Sequence, residues 1–270
     1  MPSFGCTHLQ INQVGFKGEI VAFAIGNIAA NNTFTATTGT VTISVAAGSV
    51  LVLLIGTTAL QSATFRTVSS VISTHLTYNK LCTRQHHDTN IGAGTLFQNY
   101  ETWWAFSAGA LTSEVITVTV SGASDTGTIN AVECQGVNNP SAPWSTNVSL
   151  PATADGDNTS PTVSGISTTT ATAVGCFFGC NDNGGNIIPS SPGTWIQAQA
   201  VIDAGGSSNN GTTFYYQVFA SQQTSATWLE STTVRNWVVM ADAFDTGAAP
   251  GLGGGSFMSI SRVRDGGFQW

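Results

Sequence analysis

The sequence predicts an all-β chain folded as a two-sheet sandwich. Three observations carry that expectation. Short β-branched or aromatic runs recur between clusters of Gly, Asn, Ser and Thr. Several runs alternate strictly between apolar and polar residues. No segment combines a helical period with helix caps. Many strands at short spacing with Gly-rich turns mean a sandwich or a barrel, and two facing sheets make the jelly roll the natural candidate.

Residues 1–18 are irregular and read as an N-terminal arm. The first strand series covers Glu19–Ile28, Thr40–Val45, Val50–Thr57, Ser69–Ile72, Tyr100–Ser107, Val115–Ser121 and Thr128–Cys134. In Thr40–Val45 and Ile116–Val120 one face is apolar and the other is Thr or Ser, so each buries one side. Val50–Ile55 is apolar on both faces, which places it centrally, covered from both sides. The stretch 138–161 is rich in Pro, Ser, Asp and Asn and reads as a long crossover within one sandwich domain, residues 19–244. Neither strand series alone is expected to close a well-covered core. The second series is Thr172–Phe178, Thr194–Gln199, Thr213–Ala220 and Trp237–Phe244. Residues 245–270 begin as a Gly-rich linker. They end in an alternating, aromatic-tipped segment suited to adding as a strand to a sheet edge, here or on a neighbour.

Composition narrows the function. The chain has 270 residues, of which only 8% are charged, against about 25% in an ordinary domain. Large permanent contacts tolerate few desolvated charges, so the low charge points to assembly. The net charge is −7 and no basic cluster precedes the last residues, which argues against a nucleic-acid partner. The start lacks a basic region followed by an apolar one, and no apolar run approaches the length of a membrane span. Synthesis in a cytoplasm, without a membrane partner, is the expectation. Five cysteines, Cys6, Cys82, Cys134, Cys176 and Cys180, without a secretory signal, suggest buried free thiols.

The candidate chemical sites are sparse. His86-His87-Asp88 is the one His cluster, and adjacent strand residues point to opposite faces, so an exposed polar loop is the preferred reading over a metal site. Asp155-Gly156-Asp157 and Asp182-Asn183-Gly184 resemble pieces of calcium loops but lack a full ligand set, and read as turns. Glu101 and Glu133 are the pair that could face each other in a cleft as glycosidase carboxylates do. Trp103 and Trp104 are adjacent, so one of them must face out if the strand is regular, and the seven Trp residues together raise the alternative of a sugar-stacking platform. No nucleophile elbow, P-loop or dinucleotide fingerprint is present. No catalytic residue, metal or cofactor is assigned. The residues singled out for partner binding are Phe257, Ile260, Arg262, Arg264, Phe268 and Trp270 in the C-terminal arm.

A pattern spread over residues 19–244 carries a resemblance. It includes Gly48–Gly56, Val68–Ile72, Glu101–Phe106, Ile116–Val120 and Ala131–Pro140, then Ser160–Val163, Thr172–Val174 and Trp237–Phe244. This pattern resembles the jelly-roll β-sandwich structural proteins of tailed-bacteriophage virions. Thr77–Leu81 stands where such proteins often carry a Gly-Xaa-Thr-Trp stretch. The resemblance implies a non-enzymatic head decoration protein on the virion surface, partnered by the major capsid protein and by itself, as a trimer first and a dimer second. A receptor- or carbohydrate-binding module of a fibre is the first rival reading, and a β-sandwich glycoside hydrolase the second.

Overall fold

The computed structural model describes residues 22–245, apart from the stretches 32–33, 61–63, 92–93, 169–172, 182–188, 203–210 and 231–235 and positions 125, 138, 159, 192, 220 and 225. Both proposed arms lie outside the described residues. Among the described residues every element is a strand: β1 (Ala24–Asn31), β2 (Thr38–Val45), β3 (Ser49–Leu60), β4 (Val68–Ile72), β5 (Asn79–Ile91), β6 (Gly94–Ser107), β7 (Leu111–Val120) and β8 (Thr126–Gln135) form the first half. The second half is β9 (Ala152–Gly156), β10 (Thr162–Ile166), β11 (Ala173–Asn181), β12 (Pro189–Ser191), β13 (Ile196–Ile202), β14 (Gly211–Phe219), β15 (Ala226–Glu230) and β16 (Trp237–Asp245). The fold is the expected all-β sandwich, built twice.

The strands form four sheets. In the first half an inner sheet, β1-β8-β3-β6-β5, faces an outer sheet, β2-β7-β4. In the second half the inner sheet, read from its other edge, is β9-β16-β11-β14-β13, and the outer sheet is β10-β15-β12. Counting strands within each half, the two orders are identical. In both, the first strand pairs the eighth, the second the seventh and the third the sixth, all antiparallel. The two inner sheets pack on each other, so the layers run outer, inner, inner, outer. Exchanging the halves maps the packing of β1 on β13 onto that of β9 on β5, and β8 on β13 onto β16 on β5. The halves are therefore related by an approximate two-fold axis.

Three cores fill the three gaps between layers. Val41, Ile43, Leu51, Leu53, Ile55, Ile116 and Val118 pack in the first gap. Val50, Val52, Leu54, Val174, Phe178, Phe214 and Met240 pack in the middle one. Phe177, Trp195, Tyr215, Phe219 and Trp237 pack in the third. β3 thus has both faces covered, as its unbroken apolar run required. β2 and β7 each bury one face, as their alternation required.

Two expectations meet a different arrangement. The stretch read as a crossover, 138–161, contains β9, which pairs with β16 and opens a second sandwich. Ala152–Gly156 has a single β-branched residue, so its sequence gives no strand signal. Each half closes its own core because β5, β9, β10, β12 and β15 supply strands that the periodicity did not mark. Neither Trp103 nor Trp104 is turned out to solvent. Trp103 packs against the first core and Trp104 against the middle one, because β6 lies in an inner sheet covered on both faces.

Candidate functional site

The buried carboxylates hold strands together. Glu133 on β8 is fully buried in the core of the first half. Its Oε2 accepts from the Asn27 backbone N–H at 2.7 Å and the Asn27 side-chain amide at 3.1 Å. Its Oε1 accepts from the Ala46 N–H at 2.7 Å, the Ser49 hydroxyl at 2.9 Å and the Gln135 amide at 3.1 Å. One side chain thereby ties β1 and the β2–β3 turn to β8. Burial pushes the Glu133 carboxyl upward, but the hydrogen bonds from Asn27, Ala46, Gln135 and Ser49 outweigh it and hold the group below its ordinary range. The approach to this carboxylate is set by Gly26, where a Cβ would come within 2.3 Å of Glu133 Oε2.

Glu101 on β6 does the same work at the other end of that core. It is fully buried, accepts from the Val68 N–H at 2.9 Å, the Asn99 amide at 3.1 Å and the Trp103 indole at 3.1 Å, and pairs with Lys80 at 2.6 Å. The Lys80 ammonium also lies 5.2 Å from the centre of the Trp103 ring. Glu101 and Glu133 do not form a pair. Glu101 sits opposite Ile55 and Glu133 opposite Leu51, on opposite flanks of β3. Four residues of strand separate those levels by about 13 Å, beyond the spacing at which two carboxylates act on one glycosidic bond.

The His cluster is part of a strand rather than a loop, and its two rings diverge as adjacent strand residues must. His87 stacks on Phe97 with ring centres 4.3 Å apart. His86 is buried and turns to the second half, where its Nδ1 lies 2.8 Å from Asp155 Oδ2 and its Nε2 2.7 Å from Asp157 Oδ1. Arg84 donates through Nε to Asp155 at 2.6 Å and pairs with it through Nη2. Burial raises the Asp155 carboxyl, yet the His86 and Arg84 hydrogen bonds and the Arg84 charge prevail and hold it below its ordinary value. Asp155 belongs to β9 rather than to a turn, and it is committed to a clamp between β5 and β9. Among the described residues no group of three or more His, Cys, Asp or Glu is arranged to hold a metal. Asp182–Gly184 lies outside the described residues.

Sequence reasoning missed both networks. An acid inside the apolar run Ala131-Val-Glu-Cys134 was the available signal for the first, since a buried carboxylate demands donors. Nothing local links Arg84 and His86 to Asp155, some 70 residues away.

The side chains of Cys6, Cys180 and Trp228 lie outside the described residues, and the other cysteines and tryptophans of the sandwich are packed inside it. Cys134 and Cys176 are buried free thiols and Cys82 is a half-buried one. Burial pushes the Cys82 thiol up to about 12 and raises those of Cys134 and Cys176 as well, so none is primed as a thiolate. Trp144 stacks on Phe244 at 4.3 Å, and Trp195 and Trp237 are buried in the third core. These side chains, with Trp103 and Trp104, form no exposed stacking platform. The C-terminal arm residues Phe257, Ile260, Arg262, Arg264, Phe268 and Trp270 lie outside the described residues.

One surface stands apart from these internal networks. The outward face of β2-β7-β4 carries Thr38, Thr40 and Thr42 on β2, Val115, Thr117 and Thr119 on β7, and Ser70 and Ile72 on β4, aligned across the ladder. Thr38 lies opposite Thr119, Thr40 opposite Thr117 and Thr42 opposite Val115. Val115 is 52% exposed and Ile72 58% exposed. No charged side chain stands among these aligned positions. No protein family, curated protein or solved structure matches the chain.

Proposed function

We propose that this chain is a structural protein of a tailed-phage virion, a decoration protein that docks on the head surface and stabilises it. The observation that carries this reading is the charge-free Thr, Val and Ile face of β2-β7-β4. A face without charges avoids the large desolvation cost of ions, and its hydroxyls can pair across the interface, which suits a permanent contact. The use of Glu101 and Glu133 to hold strands, rather than to line a cleft, favours a mechanical role over catalysis. The low charge of the whole chain points the same way. The nested pairing of first with eighth, second with seventh and third with sixth strands supports a jelly-roll reading of each half. The occupant of the Thr-rich face is the major capsid protein, and copies of the chain gather around the symmetry axes of the shell, as trimers first and dimers second. The C-terminal arm, Phe257 to Trp270, completes the contact by adding a strand to a neighbour's edge.

Copy number per purified particle tests the placement, with hundreds of copies expected for decoration and a handful contradicting it. Thr40→Lys combined with Val115→Glu tests the face. Folding stability should change by no more than about 0.5 kcal/mol, while co-sedimentation with undecorated particles should be lost. Unchanged occupancy of the particle would remove the face from the contact. Deletion of residues 246–270 separately tests the arm, and full occupancy without it would confine docking to the sandwich.

A further inference from the structure

The middle gap, between the two inner sheets, differs from end to end. At one end Val50, Val52, Val132 and Cys134 of the first half meet Val174, Cys176 and Phe244 of the second, with Asp242 of β16 as the one buried acid among them. Along the same strands the residues facing the gap then change character. β8 continues from Val132 to Asn130, Thr128 and Thr126, β3 from Leu54 to Gly56 and Thr58, and β6 from Tyr100 to Gln98. Across the gap, β14 continues from Phe214 to Thr212. Gln98, Thr128 and Thr212 are 0% exposed and Asn130 is 1% exposed.

Six polar atoms at this end have no hydrogen-bond partner among the described residues: Nε2 and Oε1 of Gln98, Nδ2 and Oδ1 of Asn130, and the hydroxyls of Thr128 and Thr212. Buried polar groups are almost always bonded, and leaving six without partners would cost as much as the whole stability margin of a domain. Gly56, between Thr128 and Tyr100 on the ladder, brings no side chain into this space. We infer that this end of the gap is a binding site for a small cluster of ordered waters that bridges the two sandwiches. The site suits a neutral ligand that both donates and accepts. Two amides and two hydroxyls offer both roles and no net charge, and the nearby charged groups Arg84 and His86 are paired with Asp155 and Asp157. Six atoms support roughly two waters at about three bonds each. The Thr58 and Thr126 hydroxyls, 2.6 Å apart, border the site from within the first inner sheet.

A crystal structure of the full chain at a resolution that shows ordered water decides the point. Water density bonded to Gln98, Asn130 and Thr212 is the expected result. An empty gap, side chains bonded directly to one another, or an organic molecule in their place would overturn it. Magnetic relaxation dispersion of the water nuclei gives an independent reading in solution. The wild-type chain should show long-lived internal waters, and the double variant Gln98→Leu, Asn130→Leu should show fewer. An equal count in a folded variant would refute the assignment. Should the variant fail to fold, cross-relaxation between water and the Gln98 side-chain amide in the wild type replaces it, with a signal expected and its absence contrary.

Discussion

The two halves share one strand order but are held together by different chemistry. In the first half most of the gap between sheets is filled by aliphatic residues, with Leu51, Leu53 and Ile55 on β3 facing Val41, Ile43, Ile116 and Val118, and Phe34 and Trp103 adding rings at its margin. The buried acids Glu133 and Glu101 staple that gap at its ends. In the second half the matching strand, β11, presents Ala173, Gly175 and Phe177 on the corresponding face. Rings from Phe177, Trp195, Tyr215, Phe219 and Trp237 fill the space. The comparison teaches that this topology does not prescribe a core chemistry. It needs only that volume and polar groups be accounted for in each gap.

The widest break of the comparison comes from one core position in each half. Phe177 on β11 and Leu53 on β3 lie on the third strands of the two sandwiches, face the outer gap of their half and are both fully buried. Phe177→Ala should cost about 3–5 kcal/mol and Leu53→Ala about 2–5 kcal/mol. Chemical denaturation followed by Trp fluorescence reads both. A single transition shifted by either change would show that the middle core couples the halves, and two separable transitions would show that they unfold apart.

Removing a staple comes next. Glu133→Ala strips the acceptor from buried donors on Asn27, Ala46 and Ser49 and should cost about 3 kcal/mol. Glu133→Gln, which keeps one acceptor oxygen, should cost less. Equal losses for both would mean that packing rather than hydrogen bonding sets the effect.

Acid offers a third separation. Glu133, Glu114 and Asp155 are held below their ordinary values in the folded chain. For Glu114 burial acts upward, and the hydrogen bonds from His75 prevail. A depressed carboxyl adds stability that is fully present above its unfolded pKa and is lost as pH falls through the folded value. The unfolding midpoint should therefore drop below about pH 4, and Glu133→Gln should flatten the drop. A midpoint unchanged down to about pH 2 would contradict the carboxylate networks.

The smallest effect is expected at the clamp between halves. Arg84 is 42% exposed on its side chain, so its pair with Asp155 is screened by solvent. Arg84→Ala should cost no more than about 1 kcal/mol. The same denaturation curves report it, and a larger loss would move the weight of the joint from the apolar middle core to this ion pair.

Most of the strands with apolar alternation were legible one by one. Val115–Val120 had to bury Ile116, Val118 and Val120 on one face, and it does. Val50–Ile55 had to be covered twice, and it is. β5 was illegible because it is an edge strand carrying Lys80, Arg84, His86 and His87, and edges tolerate charge that central strands do not. The candidate sites were read less well. Glu101 and Glu133 were recognised as strand acids, but their separation depends on register across β3, which no local pattern encodes.

By itself the sequence determined the all-β class, the central place of β3 and the inward faces of β2 and β7, because the two-residue period of a strand converts order along the chain directly into faces. Only the tertiary structure decided that there are two sandwiches rather than one, that both Trp103 and Trp104 are packed against cores, and that Arg84 and His86 meet Asp155. Those facts arise from what covers a sheet's second face. A covering layer is brought by residues distant in the chain, and its identity is set by packing rather than by the pattern of the strand it covers.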